Sequence, residues 1–111
     1  MAYILSYDLG TGGTKASLYD EAGRSLASTF VSCDTLYPRE QWHEQRPDDW
    51  WRSVVESTQS LLSSAPVDRS EIACLAVSGH SLGVTPVDAQ GKLLTETTPI
   101  WSDGRADASV F

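Results

Sequence analysis

The segment 8-DLGTGGTK-15 does most to limit the folds open to this chain. It is rich in glycine and joins two runs, 3-YILSYD-8 and 14-TKASLYD-20, whose aromatic and β-branched residues favour strands. A tight glycine-containing turn between two such runs predicts a β-hairpin. A further short turn at 21-EAGR-24 leads into 25-SLASTFVS-32, which extends the hairpin into a three-stranded antiparallel meander.

The residues after the meander predict a crossover helix and then a parallel strand. Residues 33–46 are polar and irregular, and they suit a surface connection. Pro47 suits the first position of a helix that ends by Pro66. Its apolar residues recur at helical spacing, and we assign them to the core: Trp50, Trp51, Val54, Val55, Thr58, Leu61 and Leu62. A platform on which a sugar stacks is the alternative for the two tryptophans. The run 72-IACLAV-77 is typical of a strand buried on both faces, so we predict an α/β fold with this strand at its centre.

The charge balance limits the partners of the chain. Eight Lys and Arg residues against fifteen Asp and Glu give a net charge of −7. Nucleic acid or an anionic membrane would call for clustered cations, so we expect neither as a partner. The N-terminus has the features of neither a signal peptide nor a membrane span, which favours a cytoplasmic protein. Cys33 and Cys74 lack the spacing of a metal site and are interpreted as reduced, partly buried thiols.

The sequence 79-GHSLG-83 matches the G-x-S-x-G pattern of serine hydrolases, with Ser81 in the place of the nucleophile. That chemistry needs a strand-to-helix turn and a histidine base downstream of the serine. Pro86 argues against a helix after Ser81, and the two histidines, His43 and His80, are not downstream of it. A serine hydrolase therefore remains only a remote alternative.

The glycine-rich hairpin has the composition of a phosphate-binding turn. Glycines let successive N–H groups face an anion, and hydroxyl groups and a lysine add further donors. The residues assigned to phosphate binding are Gly10, Thr11, Gly12, Gly13, Thr14 and Lys15. Asp8, at the end of the first strand, is placed to hold Mg²⁺ through water, and the combination fits phosphoryl transfer. The alternative is a plain hairpin in which Asp8 caps the turn.

Three stretches together resemble one known family. The run 5-LSYDLGTGGTKASLYDEAGR-24 resembles the first phosphate motif of the actin/hexokinase/Hsp70 superfamily. With 78-SGHSLGVTPVDAQGKLL-94, 99-PIWSDGRA-106 and 41-QWHEQRPDDWW-51, it resembles the start of an FGGY-family carbohydrate kinase, nearest to the xylulokinases. The resemblance implies a ribonuclease H-like (actin-like ATPase) domain. It also implies phosphorylation of a sugar or polyol hydroxyl, with ATP and Mg²⁺ as cofactors.

The resemblance further implies a set of sugar-binding residues. In the xylulokinase-like pattern the loop after the central strand reads Gly-Gln-Met-His-Gly, where this chain has 79-GHSLG-83, and Trp-Asn-Asp-Gly-Arg is similar to 101-WSDGR-105. The implied substrate-binding residues are His80, Ser81, Leu82, Trp101, Asp103 and Arg105. His80 and Leu82 depart from the pattern, which favours a ketose or polyol other than D-xylulose. Asp103 and Arg105 could instead form a local turn pair.

FGGY kinases are two-domain proteins several times as long as this chain. The resemblance therefore implies that residues 1–111 form the N-terminal part of the first domain, with the remainder and the whole second domain absent. The general-base Asp is expected beyond residue 111, so the chain would hold no catalytic residue and would be inactive alone. A non-catalytic module of the same fold that senses nucleotide or sugar is the alternative. A small-molecule substrate is the expected partner, and a homodimer stays open.

Overall fold

A four-stranded sheet carries the fold. The structure is a computed structural model and describes residues 1–65 and 67–106. The strands of the sheet, in chain order, are β1 (Tyr3–Leu9), β2 (Gly13–Tyr19), β3 (Ser25–Ser32) and β5 (Ile72–Ser78), and the sheet order is β3-β2-β1-β5. The pairs β1–β2 and β2–β3 are antiparallel, whereas β1 and β5 are parallel. The predicted meander and the parallel strand are confirmed.

One long helix, α1 (Pro47–Ser64), packs across β2 and β3. It begins as predicted, with Pro47 in the first turn beside Asp48 and Asp49, whose charges suit the positive end of the helix dipole. A short 3-10 helix, Arg69–Glu71, precedes β5.

The buried stripe of α1 differs from the predicted apolar face. Its three buried residues are Ser53, Ser57 and Leu61, whereas Trp51 is exposed. Each serine hydroxyl donates to a carbonyl one turn earlier in the helix, and this bond lets it be buried without a lost hydrogen bond. Small side chains also let the helix lie close to the sheet, so serine takes positions that an apolar pattern assigns to larger residues.

The core lies between the sheet and α1. It consists of alternate residues of β1 and β2 with one residue of the helix: Leu5, Tyr7, Ala16, Leu18 and Leu61. Two hydroxyl pairs tie the helix to the same sheet face, Tyr7 with Thr58 and Thr14 with Ser53 at 2.7 Å between the hydroxyl oxygens of the second pair. The hairpin that ends β1 is therefore held on a fixed base.

The connection between the meander and the helix is more ordered than predicted. Its last part forms β4 (Glu44–Gln45), which pairs antiparallel with β6 (Thr98–Pro99). Glu44 and Gln45 are buried, so the prediction of a surface connection is wrong for these two residues. This small sheet brings the segment around residue 100 back toward the hairpin.

The prediction that β5 is buried on both faces is wrong for this structure. Leu75 is 64% exposed and Val77 is 71% exposed. The reason is that α1 covers β2 and β3, while β5 lies at the edge of the sheet in the described residues. An apolar groove of about 550 Å³ lies between α1 and β5, with Trp51, Val54 and Val55 on its helix side.

The two cysteines differ in their burial. Cys33 is buried as expected, but Cys74 on β5 is exposed, and both are free thiols. Among the described residues, no helix combines the length and the apolar character that a bilayer crossing needs.

Candidate functional site

The hairpin between β1 and β2 contains one position that only glycine can occupy. Gly10 and Gly13 exchange two backbone hydrogen bonds, 2.9 Å from Gly10 N to Gly13 O and 3.3 Å in the reverse sense. Gly13 has φ +152°, and a Cβ atom there would lie 2.2 Å from the carbonyl oxygen of Val31. The turn thus packs closely against β3, and its two ends are hydrogen-bonded to each other.

Three successive carbonyl groups of this hairpin are turned into the protein. They accept hydrogen bonds as follows: Gly10 O from His80 Nε2 at 2.9 Å, Thr11 O from Gln45 Nε2 at 2.7 Å, and Gly12 O from Cys33 N at 3.0 Å. Within residues 1–65 and 67–106, the N–H groups of Thr11 and Gly12 donate no hydrogen bond. Carbonyls held inward and N–H groups left free are what an anion-binding turn requires.

A cleft of about 330 Å³ opens beside the hairpin, where it meets the loop after β5. Six of the sequence-predicted residues line it together: Asp8, Gly10, Thr11, His80, Ser81 and Trp101. Trp101 is 56% exposed, and its Nε1 donates to Thr11 Oγ1 at 2.8 Å. The structure therefore brings the predicted phosphate side and the predicted sugar side to one place.

Other predicted residues lie elsewhere. The prediction that the Thr14 hydroxyl serves phosphate needs correction, because Thr14 is buried and its hydroxyl pairs with Ser53 on the core side. Lys15 is exposed and stands opposite Asp8 in the strand register. Leu82 is exposed with φ +62°, a backbone conformation that a leucine rarely adopts.

Asp8 fits the water-mediated role predicted for it. The side chain is exposed at the end of β1, and none of the ion pairs among the described residues engages its carboxylate. The described residues hold no cluster of three acidic, histidine or cysteine side chains around a common point. A single free carboxylate suits Mg²⁺, which keeps most of its water and takes one or two protein carboxylates.

Asp103 and Arg105 form an internal clamp and do not line the cleft. The Arg105 guanidinium binds both carboxylate oxygens of Asp103 and reaches Glu44 Oε2 at 2.6 Å. The backbone N–H of His43 donates to Asp103 at 2.7 Å, and the guanidinium stacks on Trp42, 4.0 Å from the ring centroid. These contacts fix the loop that carries Trp101.

The clamp sets the protonation of its members. Hydrogen bonds from Arg105 lower the pKa of Asp103 to about 2, against the opposing effect of burial. The pKa of Glu44 is also lowered, first by the hydrogen bond from Arg105 and then by that from Thr97. The same two carboxylates raise the pKa of Arg105. All three groups are therefore charged at neutral pH.

We expect Arg105→Gln to lower the stability of the complete protein by about 2 kcal/mol at pH 7, because two partly buried carboxylates lose a charged donor. A lowered folded-state pKa contributes stability above the unfolded pKa, and that contribution is lost as pH falls through the folded value. The wild type should thus lose stability between pH 3.8 and about 2, and the variant should lose less. Urea-unfolding midpoints across this range measure both effects.

Arg39 provides the matched control. It also lies over the Trp42 ring, 4.9 Å from the centroid, but takes no part in the ion pairs of the described residues. Arg39→Gln should leave the urea midpoint and its pH dependence close to wild type. Equal losses of stability in the two variants would contradict the role assigned to the clamp.

Gln45 is the main residue of the site that sequence reasoning missed. Its side chain is fully buried, yet every part of the amide is used. Nε2 donates to Thr11 O and to Thr35 Oγ1, and Oε1 accepts from Trp50 Nε1 at 2.7 Å. The only signal was its place in 41-QWHEQRPDDWW-51, because its partners lie far away in sequence.

Among the described residues, neither histidine forms a hydrogen bond with Ser81, as the base of a serine hydrolase would. No helix follows Ser81 in the described residues up to 106, as predicted. The Nε2 atom of His80 is bonded to Gly10 O, and Nδ1 of His43 is 2.8 Å from Ser102 Oγ.

The sequence profile of the FGGY family of carbohydrate kinases, N-terminal domain, matches residues 3–110. The chain belongs to this family. It is 30% identical over 101 residues to a xylulose kinase from Escherichia coli (strain K12), covering 91% of this chain and 20% of the relative. It is 31% identical over 106 residues to a glycerol kinase from Roseiflexus sp. (strain RS-1), covering 95% and 21%.

A solved structure extends the FGGY relationship to the fold. The crystal structure of a xyloylose kinase from Brucella ovis superposes with a TM-score of 0.87 at 32% identity, over 93% of this chain and 22% of that one. The FGGY fold predicted from the sequence, with its actin-like ATPase relationship, is confirmed. The chain spans about a fifth of the length of the curated relatives it matches.

Proposed function

We propose that the complete protein transfers a phosphoryl group from ATP to a hydroxyl group of a sugar or polyol. Residues 1–111 would form the N-terminal part of its first domain. The observation that carries the proposal is the cleft, in which the hairpin after β1 and the loop after β5 meet. Membership of the FGGY family supports the reaction class, and the xylulose and glycerol kinases among the relatives support a small polyhydroxylated substrate.

The hairpin would bind the phosphate groups of ATP. The free N–H groups of Thr11 and Gly12 would donate to phosphate oxygens, and Lys15 would add positive charge nearby. Bound Mg²⁺ would neutralise charge on the phosphates, with Asp8 holding it through water. Positioning and charge neutralisation are the main contributions a protein makes to phosphoryl transfer.

The loop after β5 would bind the sugar. Ser81 is exposed on the cleft wall and can exchange hydrogen bonds with a substrate hydroxyl. The Trp101 ring, fixed through Thr11, offers an apolar surface for the carbon side of a sugar ring or chain. Leu82 remains a proposed contact from the same loop. We assign Asp103 and Arg105 to fixing the loop that carries Trp101. The charged group of Arg105 is engaged with Asp103 and with Glu44.

The exposed apolar groove supports the proposed domain organisation. Leu75 and Val77 on β5 present apolar surface that a complete domain would cover. The general base, which the resemblance assigns to an Asp beyond residue 111, would belong to those additional parts.

The test is ADP release by the complete protein with MgATP and a panel of pentuloses, hexuloses, pentitols and glycerol. We expect turnover with one class of acceptor and none for the 111-residue chain alone. Nucleotide or sugar binding without turnover across the panel would contradict the proposal and favour the sensing module. Turnover by the isolated chain would contradict the assignment of the base to residues beyond it.

A further inference from the structure

The His80 side chain joins the two sides of the cleft. It belongs to the loop after β5, yet its Nε2 atom lies 2.9 Å from the carbonyl oxygen of Gly10 in the hairpin. A carbonyl oxygen can only accept, so Nε2 carries the proton and donates it. This bond connects residues that are 70 positions apart in the chain.

Neither ring nitrogen of His80 is available to a sugar. Nε2 is used by Gly10, and Nδ1 is buried without a hydrogen-bond partner among the described residues. The ring packs on Trp50, with centroids 5.2 Å apart and planes inclined by 59°. Behind it, Gly79 lies against Leu9, where an added Cβ would come within 3.6 Å of the leucine Cβ. The ring is thus wedged between the helix and the hairpin.

We propose that His80 is a positioning residue that holds the phosphate hairpin against the sugar loop, and not the sugar ligand that the sequence predicted. The inference rests on the proposed function and deepens it. Gly10 lies directly before Thr11, whose N–H group is assigned to phosphate. Loss of the bond to Gly10 would let this N–H group move, so we expect the affinity for the nucleotide to fall. Ser81 keeps its own hydroxyl, so sugar binding should change little.

Two variants of the complete protein distinguish the effect of the hydrogen bond to Gly10 from the effect of the aromatic ring. His80→Phe keeps an aromatic ring against Trp50 but removes the donor, whereas His80→Gln keeps a donor at similar reach. We expect the Phe variant to raise the KM for MgATP and the Kd for MgADP by roughly two- to tenfold, the range of one hydrogen bond. The Kd for the sugar should stay near wild type, and the Gln variant should recover most of the nucleotide affinity.

If the Phe variant is insoluble, His80→Asn replaces it with the same expectation, because its amide is too short to reach Gly10. Loss of sugar affinity alone would overturn the inference and leave the kinase proposal intact. Equal behaviour of the Phe and Gln variants would overturn it as well, since the hydrogen bond would then be irrelevant. A wild type that binds no nucleotide would overturn the proposed function and this inference together.

Discussion

Replacing Asp8 with Asn in the complete protein is expected to lower kcat by about two to three orders of magnitude, with little change in the Kd for the sugar. The substitution keeps the size of the side chain and removes its charge. Asp8 is exposed at the mouth of the cleft without an ion-pair partner among the described residues, so the fold should not suffer. Steady-state kinetics with varied Mg²⁺, together with sugar binding by calorimetry, measure the two effects separately.

Glu40→Gln is the control for the Asp8 variant. Glu40 is also exposed, and its substitution changes the net charge equally at a position that does not line the cleft. It should leave kcat unchanged. An Asp8 variant that loses sugar affinity but keeps its kcat would rule out the metal role, and it would place Asp8 on the sugar side.

Gly13→Ala is expected to destabilise the protein by about 4 kcal/mol or more, enough to leave most of it unfolded or insoluble. The added Cβ would lie 2.2 Å from Val31 O and 2.7 Å from Ser32 Cα, both of them backbone atoms of β3. These atoms cannot rotate away as a flexible side chain can, so β2 and β3 would have to separate. Soluble yield and the urea-unfolding midpoint measure the effect.

Gly12→Ala is the matched change one residue earlier. A Cβ there meets no heavy atom within 4 Å, so we expect a stability loss of about 1 kcal/mol at most. The same variant places a methyl group beside a proposed phosphate donor and should weaken MgATP binding. Wild-type stability for Gly13→Ala would show that the hairpin does not lie against β3 as described.

The elements that local pattern determines were predictable. The meander followed from β-branched and aromatic runs separated by glycine turns, and α1 followed from Pro47 and the acidic first turn. The assignment of the hairpin to phosphate binding came from its glycine-rich composition, whereas the assignment of the loop after β5 to sugar binding came from the resemblance to a known family. Asp8, Thr11, Ser81 and Trp101 line one cleft in the structure.

The failures share a physical cause, which is that burial depends on distant partners. Ser53 and Ser57 are buried because the helix crosses the sheet closely, and no hydrophobicity scale ranks serine as core. Gln45 is buried because Thr11, Thr35 and Trp50 satisfy its amide. Val77 is apolar yet exposed, since an apolar pattern states which surface prefers to be covered but not whether a cover is present.

The uncovered strand β5 has a consequence for the chain as an isolated polypeptide. Its outer edge pairs with no strand in the described part of the chain, so its backbone N–H and C=O groups can template pairing with another molecule. The strand, 72-IACLAVS-78, carries neither a charged residue nor a proline, the usual safeguards against such pairing. The 111 residues alone should therefore aggregate through this edge as their concentration rises.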